Sequence, residues 1–181
     1  MNFKIGQQII YPNHGVGTIE QIEQKQIGAT IIPCYELRLA FNNSIVLVPI
    51  KNAAEIGLRL LIELDECELL LFKLSEDFSE ISSDWKIRFR DYTERMKKGD
   101  VHDIADALKK LTYLSRIKPL SFREQRLLEK ARYLVISELA AVCDKSECNI
   151  EESVETALKV AFAKHPASAE PVKKSRVATV H

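Results

Sequence analysis

The sequence predicts an α+β protein of two domains, a small and strongly bent β-barrel followed by an all-α helical bundle. Three observations carry this. Over the first ~60 residues, apolar side chains alternate in short runs broken by Gly, Asn and Pro, the pattern of strands joined by tight turns. From about residue 83 the apolar positions recur at helical spacing, with capping residues between the runs. The formal net charge of zero hides a split at the same place. Residues 1–84 hold six Lys and Arg against twelve acids, residues 85–133 hold fourteen against seven, and residues 134–181 hold six against seven. A basic block of this kind suits either nucleic acid for that part and a different partner for the rest, or a solvated helical surface with no ligand, and charge alone does not separate the two.

In the β region, "QQIIYP" is a short apolar strand and "NHGVG" a turn whose glycines can take positive φ. "VGTIEQIEQ" places Val16, Ile19 and Ile22 among polar neighbours, and "ATIIPCYELRLAF" alternates over Tyr35, Leu37 and Leu39. Pro33 in that strand requires a bulge or an edge position, because it has no N–H for the ladder. "NNS" turns the chain into "SIVLVPI", which is apolar on both faces, Ile45 and Leu47 on one and Val46 and Val48 on the other. Either the protein's own helices cover the second face, or it awaits a partner that adds a strand to the edge. "LRLLI" after Gly57 reads as one more short strand.

"DECELLLFKL" reads as a short helix with Asp65 as N-cap and Glu68 three residues on. "SEDFSEISSD", residues 75–84, is acidic, serine-rich and aperiodic, the composition of an interdomain linker. The first long helix spaces Trp85, Phe89, Tyr92 and Met96 along one stripe and ends at Gly99. Asp100 caps the next, striped by Val101, Ile104, Leu108 and Leu111. Ser121 with Glu124 forms a capping box for the third, which carries Leu128, Ala131, Val135 and Leu139. Asn149 with Glu152 is expected to cap a fourth, with Ile150, Val154, Leu158 and Phe162 in register. The boundaries expected are therefore 1–62 for the β domain, 63–84 for a short helix and acidic linker, 85–164 for the helical domain, and 165–181 for a disordered tail.

Catalytic and cofactor signatures are missing from the sequence: no phosphate-binding glycine loop, no H-E-x-x-H, no nucleophile elbow. His14, His102, His165 and His181 have no cysteine or carboxylate partner at ligand spacing. Cys143 and Cys148 are close but make a poor zinc pair, so Cys34, Cys67, Cys143 and Cys148 read as reduced thiols of a cytosolic protein. The expectation is a monomeric binding protein with no cofactor and no metal. No run approaches the ~20 apolar residues of a membrane span, and "MNFKIGQQII" does not read as a signal peptide.

Trp85, the single tryptophan, allows two readings. It can head the core stripe, or it can project from the exposed start of its helix amid Lys86, Arg88 and Arg90. Spacing alone favours the core stripe.

Several motifs carry a resemblance. "IGQQIIYPNHGVGTIEQIE" is similar to the G-x-x-V-x-Y-P-x-H-G-x-G opening of the CarD/CdnL family of bacterial transcription regulators, in a module shared with transcription-repair coupling factors. "DWKIRFRDYTERMKKGDVHDIADALKKL" resembles the family's W-x-x-R…L-x-x-G-D pattern, and "LSFREQRLLEKARYLVISELA" its L-S-x-x-E…L-x-x-A-R pattern. Together they cover about residues 1–143 in order.

The resemblance implies a Tudor-like N-terminal domain docking by strand pairing on the β subunit of RNA polymerase. Lys25, Ile45, Val46, Leu47, Val48 and Pro49 would form that contact. One departure is Leu47, in a place where a basic residue would serve. The helical domain would meet promoter DNA at the upstream edge of the melted bubble. Trp85 would wedge into the minor groove, and Lys86, Arg88, Arg90, Lys130 and Arg132 would lie on the DNA, reading little sequence. The protein would stabilise the open complex in the cytoplasm, associated with the nucleoid through polymerase. The alternative is an adaptor on polymerase whose helical domain recruits another protein.

Overall fold

The structure, a computed structural model, describes residues 2–165. Five antiparallel strands come first: β1 (Gln8–Tyr11), β2 (Gly15–Ile27), β3 (Thr30–Leu39), β4 (Ile45–Pro49) and β5 (Arg59–Leu60), in the spatial order β4-β3-β2-β1-β5. A 3-10 turn (Ile50–Asn52) and α1 (Ala53–Ile56) lie between β4 and β5. Five more helices follow: α2 (Leu64–Ser75), α3 (Trp85–Lys98), α4 (Val101–Ile117), α5 (Phe122–Cys143) and α6 (Glu147–Lys164).

The expected barrel is an open sheet. β4 and β5 are its two edges and do not pair, because the segment joining them is taken up by helical turns and β5 is only two residues long. The alternation in β3 holds, with Tyr35, Leu37 and Leu39 each at most 4% exposed. Tyr35 and Leu37 build a core with Phe3, Ile9, Ile19 and Val48. A bulge does occur, but in β2 between Ile19 and Gln21. Pro33 is tolerated because β4 pairs only with Cys34–Arg38, so the far side of β3 is unpaired at Pro33.

The helical stripes pack as one core. Ile104, Leu108, Leu111, Ala131, Val135, Leu139, Val154 and Leu158 are all 3% exposed or less. Gly99 takes φ 78° to end α3, and Asp100 accepts hydrogen bonds from the His102 and Asp103 amides to start α4. Two caps fall elsewhere than expected. α2 starts at Leu64, where the Glu66 carboxylate accepts from the Glu63 amide at 3.1 Å, rather than at Asp65. α6 starts at Glu147, capped by Ser146, whose hydroxyl accepts from the Asn149 amide at 3.3 Å.

The larger correction concerns residues 63–84. α2 is part of the helical core, with Cys67, Leu70 and Leu74 buried against α4, α5 and α6. The acidic segment after it is a strap pinned to the bundle by cations from the basic block. Lys109 donates to the Lys73 and Glu76 carbonyls, Lys110 to the Ser79 hydroxyl, and Arg88 to the Ser82 and Ser83 carbonyls. Phe78 anchors its middle, stacked on His165 with ring centres 4.0 Å apart and edge-on to Tyr113 at 5.1 Å. His165, expected at the start of the tail, thus closes the fold, with Nδ1 2.6 Å from Asp77 Oδ1. The rest of that tail lies outside the described residues.

The two domains meet through the residues of the opening motif. Pro12 packs on Gly99 and Gly15 on the Tyr133 ring, so closely that a Cβ at Gly15 would come within 2.9 Å of that ring. Arg59 on β5 forks onto the buried Glu138 carboxylate at 2.6 and 2.8 Å and also donates to the Gly99 carbonyl. Among the described residues no helix is long and apolar enough to cross a membrane.

Candidate nucleic-acid and protein interfaces

Trp85 is the first residue of α3, whose amides are capped by the Asp84 carboxylate. From there the stripe turns inward. Phe89 is half-buried, and Tyr92 and Met96 are buried at 4% and 1% exposure, but Trp85 is 42% exposed. The tryptophan therefore lies outside the core its spacing would have let it join. Its neighbour Ile87 is also exposed.

The cations expected beside it separate into two kinds. Lys86 and Arg90 are exposed and form no ion pair among the described residues. Arg88 is 2% exposed, its Nη2 2.6 Å from Glu124 Oε1. The expectation that Arg88 lies on DNA is therefore corrected, because its guanidinium is spent inside the fold. Burial alone would raise the Glu124 carboxyl, but hydrogen bonds from Arg88 and Ser121 hold it below its ordinary value. The other Glu124 oxygen accepts from the Ser121 amide and hydroxyl at 3.1 and 2.8 Å. The W-x-x-R and L-S-x-x-E motifs thus lock onto each other, and α3 and α5 begin side by side because of it.

Arg132 is partly exposed and already paired. It reaches across to α6, with Nη1 2.8 Å from Glu151 and Nη2 2.9 Å from Glu155. Lys130 sits in a cleft of about 690 Å³ between the sheet turns and α5, with His14, Phe41, Arg123, Arg126 and Tyr133. Burial lowers the affinity of its amine for a proton, and burial together with Lys130 lowers that of His14. Arg95 pairs with Asp91 and Asp106, and Lys109 and Lys110 hold the strap. Much of the basic block is therefore internal scaffolding, which charge counting could not reveal.

Two further exposed cations lie near an aromatic that the spacing does not single out. Lys118, Arg123 and Phe122 line one concavity with Trp85, of about 670 Å³. Phe122 is 69% exposed, and the Arg126 guanidinium covers its ring at 4.9 Å. An aromatic directly after a predicted N-cap serine was the available signal, since the first turn of a helix projects from the bundle.

On the sheet, Ile45 and Leu47 are 51% and 45% exposed, whereas Val48 is 1% exposed and Val46 packs partly on the core. Among the described residues, the protein's own helices thus do not cover this face. β4 is the sheet edge, with β3 on one side and, among the described residues, no strand on the other. Lys25 lies beyond the end of β4, opposite Ile32, and pairs with Glu23 at 2.6 Å.

Among the described residues no group of three or more His, Cys, Asp and Glu side chains could hold a metal ion. Burial and the neighbouring Cys143 push the Cys67 thiol up to about 12, far from a reactive thiolate.

An open antiparallel sheet with a bare apolar edge, fused to a helical domain with a bare aromatic ringed by cations, is the frame of an interaction module. The CarD-like/TRCF RID domain model matches residues 3–62, and the CarD C-terminal domain model matches residues 70–155. The chain belongs to the CarD family of transcription regulators. It is 27% identical over 149 residues to the Bacillus subtilis (strain 168) protein named "Putative transcription factor YdeB", an alignment spanning 82% of this chain and 97% of that one. The end of α6 falls beyond the family match.

Proposed function

We propose that the protein docks on the β subunit of RNA polymerase by adding a strand to β4, and that Trp85 stabilises the open promoter complex at the upstream edge of the bubble. The observation that carries the reading is Trp85 itself, 42% exposed at the head of a stripe whose inner members are buried. A large aromatic side chain left in water costs the fold the burial free energy it would otherwise gain, so its exposure suits a ligand.

At a melted junction the last base pair has lost a stacking neighbour. An indole there supplies about 1–3 kcal/mol of stacking. The contact favours opening only because the closed duplex does not offer it, since a ligand shifts an equilibrium by its differential affinity alone. A difference of about 1.4 kcal/mol is tenfold in the open-to-closed ratio. Wedging apolar side chains into the minor groove is an established way to hold distorted DNA. Lys86, Arg90, Lys118 and Arg123 suit the phosphate backbone, where they position the helix without reading sequence. DNA affinity from so few cations is weak and salt-sensitive. Docking β4 on polymerase raises the local concentration at the promoter and compensates for it.

The test is the lifetime of open complexes formed by polymerase with the wild-type protein and with Trp85→Ala and Trp85→Phe. The expected result is a lifetime shortened about tenfold by Trp85→Ala and less by Trp85→Phe. Equal lifetimes for all three would remove the mechanism.

A further inference from the structure

We propose that the concavity between the starts of α3 and α5 is a binding site for one unpaired nucleobase of the opened strand, held between Trp85 and Phe122. The inference rests on the reading of Trp85 given above and adds a second aromatic and a defined ligand to it.

Both rings line the same concavity, yet neither stacks on another aromatic ring among the described residues. They are 42% and 69% exposed, on two helices whose relative position is fixed by the Arg88–Glu124 pair beneath them. The space of about 670 Å³ falls within the ~300–1,000 Å³ of ordinary ligand sites. Its rim is cationic. Lys118 and Arg123 line it, both exposed and without an ion pair among the described residues, and Lys86 follows Trp85 on the same helix. Glu124, the carboxylate lining the concavity, is already neutralised by Arg88. Flat apolar walls with a positive rim complement a nucleobase carrying its phosphates. They match a base pair inside the duplex poorly, because a base stacked on both sides presents only its edge. Base stacking on aromatic side chains tolerates any sequence, as every base has a π-face. The Arg126 guanidinium lies over the Phe122 ring at 4.9 Å, and the side chain stays 69% exposed.

Trp85 is the single tryptophan, so its emission reports the site directly. At low salt the full chain is titrated with a blunt DNA duplex, with the same duplex carrying an unpaired end, and with a short oligothymidylate. Saturable quenching is expected from the two DNAs with unpaired bases, with the blunt duplex at least about fivefold weaker. Phe122→Ala should weaken the unpaired-base complexes about five- to tenfold, and Phe122→Tyr should restore them. Circular dichroism confirms that each variant is folded. Equal quenching by duplex and unpaired DNA, or half-saturation unchanged by Phe122→Ala, would overturn the site. Open-complex lifetimes separate this failure from that of the proposed function. If Trp85→Ala shortens them and Phe122→Ala does not, the base site falls and the wedge stands. If oligothymidylate quenches Trp85 yet Trp85→Ala leaves the lifetimes unchanged, the promoter role falls and the base site stands.

Discussion

Arg88 stands in a run of cations whose neighbours are exposed, and only its burial reveals what it does. With Glu124 it forms an ion pair 2.6 Å long in which the side chains are 2% and 5% exposed. Removing one partner of such a pair leaves the other charge buried and costs about 3–5 kcal/mol. Arg88→Met should therefore lower the denaturant midpoint sharply, whereas Arg90→Met, at an exposed position, should shift stability by no more than about 0.5 kcal/mol. The pair also sets a pH dependence. Glu124 titrates below its ordinary value of 4.5 in the folded protein. Its contribution is thus fully present above that value and is lost as the pH falls through the lower, folded one. Stability of Glu124→Gln measured by denaturant titration should accordingly show a shallower decline than the wild type below about pH 4.5.

β4 is the element where partner binding and folding separate most cleanly. Val48 faces the core and Leu47 faces water, because successive side chains on a strand alternate between faces. Leu47→Asp should leave the unfolding midpoint within about 0.5 kcal/mol of wild type. It should also abolish capture of a fragment of the polymerase β subunit in a pulldown. Capture retained by the folded variant would move the docking site elsewhere. The strap between α2 and α3 teaches a different lesson about elements. Its serine-rich, aperiodic composition matches that of a linker, but a segment without periodicity can still be ordered when buried cations take its carbonyls. Lys109 and Arg88 do this, Lys110 holds the Ser79 hydroxyl, and Phe78 and His165 close the end.

Over the whole molecule, Gly15 and Pro12 of the opening motif join the domains. Gly15 has φ 88°, and a Cβ there would lie 2.9 Å from Tyr133. Gly15→Ala should therefore destabilise the protein by about 1–3 kcal/mol through backbone strain, with added cost from the displaced ring. Small-angle scattering should report a looser arrangement of sheet and helices. Adding Tyr133→Ala should relieve the clash but not the strain, so only partial recovery of the midpoint is expected. The Arg59–Glu138 fork and the contact of Phe41 with Tyr133, ring centres 4.9 Å apart, hold the same junction. The β4 edge and the Trp85 concavity are thus carried on one joined body, as docking on polymerase with simultaneous contact to DNA would require.

The sequence by itself determined the α+β class, the order of elements, the buried stripes of α4 to α6 and the caps at Asp100 and Ser121. These depend on periodicity and on local hydrogen bonding, which a short stretch of chain fixes on its own. It also marked Trp85 and β4 as the places to look. Only the tertiary structure decided that the sheet stays open, that α2 belongs to the helical core, and that α6 is held by Arg132. It decided too which cations are free. Lys86, Arg90, Lys118 and Arg123 look the same as Arg88, Arg95, Lys109 and Arg132 along the chain, because charge is a property of the residue. Pairing is a property of what the fold places within 3 Å of it, and Glu124 and Glu151 come from other helices.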